Sequence, residues 1–74
     1  MLTLREQLGR TIRHLRTQAG FSQERFADAC ALHRTYIGSV ERGETNISLD
    51  NIALIARTLA LPVSKLFAAA ETER

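Results

Sequence analysis

Arg34, Thr35 and Ser39 fall within little more than one turn of a helical stretch, RTYIGSVER, and together carry the donors needed to read a base edge. A guanidinium can donate two parallel hydrogen bonds to guanine O6 and N7, a pairing that discriminates by about 1–3 kcal/mol. A threonine can donate to an acceptor and touch a thymine methyl, and Ser39 lies one turn further along the same segment. Gln23 opens an earlier segment, where its amide and nearby backbone N–H groups suit a phosphate. Arg42 and Asn46 follow the reading stretch and suit phosphates at its flanks. Tyr36 reads equally as half-buried packing with its hydroxyl at a rim or as a phosphate or base contact. His33 and His14 read as helix-start and solvated residues.

Such side chains need a scaffold, and the segment Gln23 to Arg42, QERFADACALHRTYIGSVER, supplies one. It reads as a short helix, a tight turn and a second helix, the layout of a helix-turn-helix at 23–42. Phe26, Ala27, Cys30, Leu32, Ile37 and Val40 are apolar or small where the two helices would touch. Each alone is ordinary core; the information lies in what they leave facing outward, namely His33, Arg34, Thr35, Gly38 and Ser39. Gly38 inside a helix costs up to about 1 kcal/mol against Ala, which suggests a close approach to that backbone. Arg16 and Glu41 border the central junction and are expected to pair, tying the first helix to the end of the second motif helix.

The rest of the chain reads as three more helices, with no strand signal, so an all-α, five-helix fold is expected for one domain spanning 1–74. Leu4, Leu8, Ile12 and Leu15 form one apolar face of the first helix, with Arg10 and Arg13 towards other faces, and Gly20 ends it. Ser22 and Ser48 are N-caps, although Arg25 stands where a capping box wants Glu or Gln. Leu49, Ile52, Ile55, Ala56 and Leu59 draw a fourth helical stripe. Pro62 breaks the chain before a fifth helix at about 63–70, bearing Val63, Leu66 and Phe67. The tail from Ala68 to Arg74 is expected to fray.

Composition narrows the function further. A chain of 74 residues buries only about 60% of its unfolded surface, so a partner subunit is the natural source of added stability. Cys30 is the lone cysteine, which excludes an intrachain disulfide and implies a buried, inert thiol in a reducing cytoplasm. One Cys and two His cannot build a structural zinc site, and no cofactor is expected. Residues 1–42 hold seven arginines against four acids, whereas 43–74 hold three basic residues against four acids. The positive excess therefore sits with the motif, while the whole chain carries only +2. No apolar run approaches the length of a membrane span, and neither a catalytic constellation nor a phosphate-cradling loop is present.

Three stretches, RTIRHLRTQAGFSQERFADA, ALHRTYIGSVERG and SLDNIALIARTLALPVSKLF, resemble the Cro/CI-repressor-type (XRE) helix-turn-helix family from Gly9 to Phe67. Within it, LHRTYIGSVERGETN is most similar to the restriction–modification controller proteins. That resemblance implies a homodimer that binds double-stranded DNA at a palindromic operator, with its two recognition helices about 34 Å apart. It implies base reading by Arg34 and Thr35, and backbone or kinked-step contacts by Gln23, Tyr36, Arg42 and Asn46. It also implies a dimer interface through Val63, Leu66 and Phe67; with no sensor domain evident in the sequence, no small-molecule effector is expected. An antitoxin that covers a toxin and a short phage-type repressor are the alternatives. The chain departs from the family pattern at Ala31, His33 and Thr45, where glycine, an acid and a base are usual. At Ala31 the backbone must then be non-left-handed or mildly strained.

Overall fold

The computed structural model describes residues 1–73, and within them the chain forms five α-helices. Helix α1 spans Leu4–Gln18, α2 Gln23–Cys30, α3 Arg34–Glu41, α4 Leu49–Thr58 and α5 Val63–Glu71. Each start has a local cause. Thr3 and Glu6 form a full capping box on α1, and the Thr3 N–H bonded to Glu6 lowers the pKa of that carboxyl. Ser22 and Ser48 accept from Arg25 N and Asn51 N at 3.1 and 3.2 Å. With Arg25 at the third helical position, the cap of α2 stays one-sided. His33 caps α3 with a long 3.4 Å bond from Thr35 N, and Pro62 starts α5 without a side-chain cap.

One apolar core joins all five helices. Ile12, Phe26, Ile37, Ile55 and Leu66 are fully buried in it, and Phe21 meets Phe26 edge to face at 5.5 Å. Cys30 belongs to this core; burial pushes its thiol pKa up, against a smaller opposing hydrogen bond with Thr58. Gly9 lets α1 cross α3 closely, since a Cβ there would stand 2.7 Å from the Glu41 carbonyl oxygen. Among the described residues, no single helix is long and apolar enough to cross a membrane.

Three expectations need correction. Helix α5 ends at Glu71, within a residue of the expected bound, but it does not fray from Ala68. Ala70 is fully buried, and Gln7 Nε2 donates to the Glu73 carbonyl at 3.0 Å. A run of alanines has the highest helix propensity, and its small side chains let α5 lie against α1. Leu66 is not available to a partner, because it is fully buried within the single chain. Leu4 stands 52% exposed at the first position of α1 and so does not complete the buried stripe of that helix.

Ala31 resolves the turn. Its φ of 58° and ψ of 38° are left-handed, and its N–H caps α2 by bonding to Asp28 O at 3.0 Å. A left-handed alanine costs roughly 1–2 kcal/mol, so the second of the two sequence alternatives, mild strain, applies here. Ala31→Gly should therefore stabilise the fold by about 0.5–1 kcal/mol, after the added unfolded-state freedom of glycine is deducted. Urea unfolding would register this as a higher midpoint at an unchanged slope; a lowered midpoint would contradict it.

Candidate nucleic-acid interface

The interface is built around the carboxylate of Glu41, the last residue of α3, whose side chain is only 4% exposed. Arg16, in the last turn of α1, donates through Nε to Glu41 Oε2 at 2.6 Å and through Nη2 to Oε1 at 3.1 Å. Its remaining nitrogen, Nη1, donates to the Phe21 carbonyl at 2.8 Å. Gln23 Nε2, from the first residue of α2, also donates to Glu41 Oε1 at 3.1 Å. One buried carboxylate thus joins α1, α2 and α3, while the same arginine holds the loop leading into α2. A forked guanidinium suits this task because its donors are fixed in one plane.

Gly38 is part of this joint and not of the outer face, contrary to the sequence expectation. It is buried, and a Cβ there would stand 3.1 Å from Arg42 Nη1 and 3.5 Å from Gln23 Oε1. Its missing side chain admits Gln23 against α3. One N–H of the Gln23 amide is accordingly engaged inside the protein, which leaves a single amide proton at that side chain for the expected phosphate contact.

Arg34 and Thr35 are exposed on the first turn of α3. Arg34 Nη1 donates to Glu24 Oε2 of α2 at 3.0 Å, with both side chains about two-thirds exposed. Ser39 differs from its two companions: it is half-buried, and its hydroxyl shares a hydrogen bond with the Thr45 hydroxyl. That contact fastens the loop after α3 and removes Ser39 from the open set. Tyr36 is half-buried, and its hydroxyl oxygen accepts from Asn51 Nδ2 at 3.1 Å. With the oxygen partnered by a donor, the phenolic proton remains free to be donated outward.

Arg42 is exposed and pairs with Glu44 at 3.1 Å. It borders a notch of about 270 Å³ with Arg13, Arg16, Gln23, Gly38 and Glu41. An adjoining hollow of about 360 Å³ adds Arg10 and Glu6. Arg10 and Arg13, which helical spacing merely put on other faces of α1, therefore extend the basic edge beside α3. Asn46 is exposed but lines a different hollow, of about 120 Å³, with Leu4, Leu8, Ile47, Ile52 and Phe67. It stands between the α3 side and the α5 side of the molecule. Val63 and Phe67 are half-buried on α5, and Leu49, expected in the apolar stripe of α4, is instead 71% exposed at the first position of that helix.

The sequence reading missed Glu24, Thr45 and Asn51, each the partner of a candidate contact residue. Asn51 lies fifteen positions from Tyr36 and Glu24 ten from Arg34, spacings that no helical period connects. Only the turn at Ala31 and the loop from Arg42 to Ser48 bring them together.

Removing Arg16 would strand a buried carboxylate on one amide donor, so Arg16→Ala should cost about 3 kcal/mol or more. The double variant Arg16→Met/Glu41→Leu should lose much less than the sum of the single changes. A urea double-mutant cycle measures this, and additive losses would show that the two side chains do not act together.

With this geometry in hand, the relatives become informative. A helix-turn-helix family profile matches residues 12–66. Control protein C.SmaI from Serratia marcescens is 42% identical over 65 residues, spanning 88% of this chain and 77% of that protein. Control protein C.MunI from Mycoplasma is 36% identical over 74 residues, spanning 99% and 100%. The solved restriction–modification controller protein C.AhdI from Aeromonas hydrophila superposes with a TM-score of 0.81 at 42% identity, covering 84% of this chain and 94% of that one. The chain belongs to the helix-turn-helix family of DNA-binding transcription regulators and is similar to its controller proteins.

Proposed function

We propose that this protein is a restriction–modification controller: a cytoplasmic homodimer that binds a palindromic operator and regulates transcription without catalysing a reaction. The observation that carries this reading is the open first turn of α3. Arg34 and Thr35 are exposed there, on a helix braced from behind by the Arg16–Glu41–Gln23 joint. A rigid, outward helix start of this kind can enter a major groove and present its side chains to base edges. Arg34 then takes a guanine and Thr35 a neighbouring base, whereas Ser39 holds the following loop.

Backbone contacts fall to Arg42, to the phenolic proton of Tyr36 and to Asn46 in the loop. The backbone N–H groups at the start of α2 serve beside the remaining amide proton of Gln23. Identities of 36–42% with two control proteins support the controller assignment. Dimerisation is assigned to the α5 side, through Val63 and Phe67 without Leu66.

Arg34→Ala should weaken binding to the preferred duplex by roughly 10- to 100-fold and relax selection at one base pair, corresponding to the loss of a bidentate contact. Competition binding across single-base operator variants tests this; unchanged discrimination would remove Arg34 from the reading role. Arg42→Ala should instead weaken all duplexes alike and flatten the salt dependence by about one phosphate contact.

Val63→Asp places a charge on the proposed α5 interface. Sedimentation velocity should show a shift from dimer to monomer with helical circular dichroism retained. A dimer that persists would put the subunit contact on another surface.

A further inference from the structure

Glu24 is an odd residue to find at the edge of a surface meant for a polyanion. It is exposed in the first turn of α2, and its carboxylate would lie close to the phosphates. A negative charge there weakens binding to every duplex. Among the described residues, its one polar side-chain contact is Arg34, held at 3.0 Å. The pair is open to solvent on both sides, so it adds little to the stability of the fold. Its consequence lies in what it does to the guanidinium before DNA arrives.

We propose that Glu24 is a specificity-determining residue: its carboxylate restrains Arg34 so that a guanine edge can draw the guanidinium away, whereas an isolated phosphate cannot. This inference rests on the base-reading role of Arg34. A guanine presents O6 and N7 together and matches two donors at once. A phosphate offers an anionic pair of oxygens, and the carboxylate that already holds Arg34 offers the same, so a phosphate gives the guanidinium nothing that Glu24 does not. On unrelated DNA, Arg34 therefore stays with Glu24 and contributes no phosphate contact. At the preferred site it transfers to the base, leaving Glu24 in solvent. The acid lowers affinity everywhere but lowers it most at the wrong sites.

Glu24→Gln removes the charge at an exposed position and should leave the fold intact, which circular dichroism would verify. Binding would be measured between 0.1 and 1 M salt on two duplexes of equal length: one recovered by selection from a random pool, and one of random sequence. For the variant, the random duplex should show a salt slope steeper by about 0.9, worth roughly eightfold in affinity across that range. The preferred duplex should keep its slope, so that the preference ratio narrows by several-fold at low salt. In an Arg34→Ala background, the same substitution should leave the slope on the random duplex unchanged.

Equal gains on both duplexes, or a slope change that survives in the Arg34→Ala background, would reduce Glu24 to simple charge repulsion and overturn the proposal. In those cases the base-reading role stands or falls separately, on whether Arg34→Ala alone relaxes discrimination. A pool that yields no preferred duplex would remove base reading, and this proposal with it.

Discussion

A single buried carboxylate, that of Glu41, fixes the geometry on which the surface of this protein depends. Two bonds from Arg16 and one from Gln23 converge on it, so three helices are located against one charge. In a small domain with a limited apolar core, such a joint does something that packing cannot do alone. Apolar contacts resist separation but allow sliding, whereas forked hydrogen bonds to a planar acceptor set both distance and angle. The close crossing of α1 at Gly9 and the seating of Gln23 on Gly38 are the steric counterparts of that electrostatic joint. Together they set the pose of α3.

On this rigid face, the exposed and half-buried polar side chains are already engaged with one another. Arg34 holds Glu24, Arg42 holds Glu44, Ser39 holds Thr45 and Tyr36 receives Asn51. On the proposed reading, binding DNA is an exchange of partners rather than the filling of an empty surface. Exposed ion pairs are weak, and so are readily exchanged. The hydroxyl and amide contacts are more enclosed, and they suit the task of keeping the loop and Tyr36 in place.

Much of the fold was legible in the chain. The serine caps at 22 and 48, the apolar stripes and the helix breaks at Gly20 and Pro62 follow from local rules, and the helices begin where those rules place them. Arg34 and Thr35 were legible as exposed, because the apolar residues of α3 claim its other side. Leu66 was misassigned because periodicity shows which residues share a face, not whether that face meets its own core or a partner. Gly38 was misassigned for a related reason: its inward position depends on Gln23, fifteen residues earlier, and on the angle between two helices.

Helix identity, the turn and the charge bias towards the first 42 residues are properties of neighbours in sequence, so the chain alone determined them. A backbone hydrogen-bond cap or a hydrophobic stripe needs only residues within a few positions of each other. Which polar groups remain free was decided by the tertiary structure, because each donor that could serve a ligand could equally serve another part of the protein. Glu24, Asn51 and Thr45 claim theirs across spans of 6 to 15 residues. Glu41 claims Arg16 across 25. Those pairings exist only once the apolar core has fixed the helices in space.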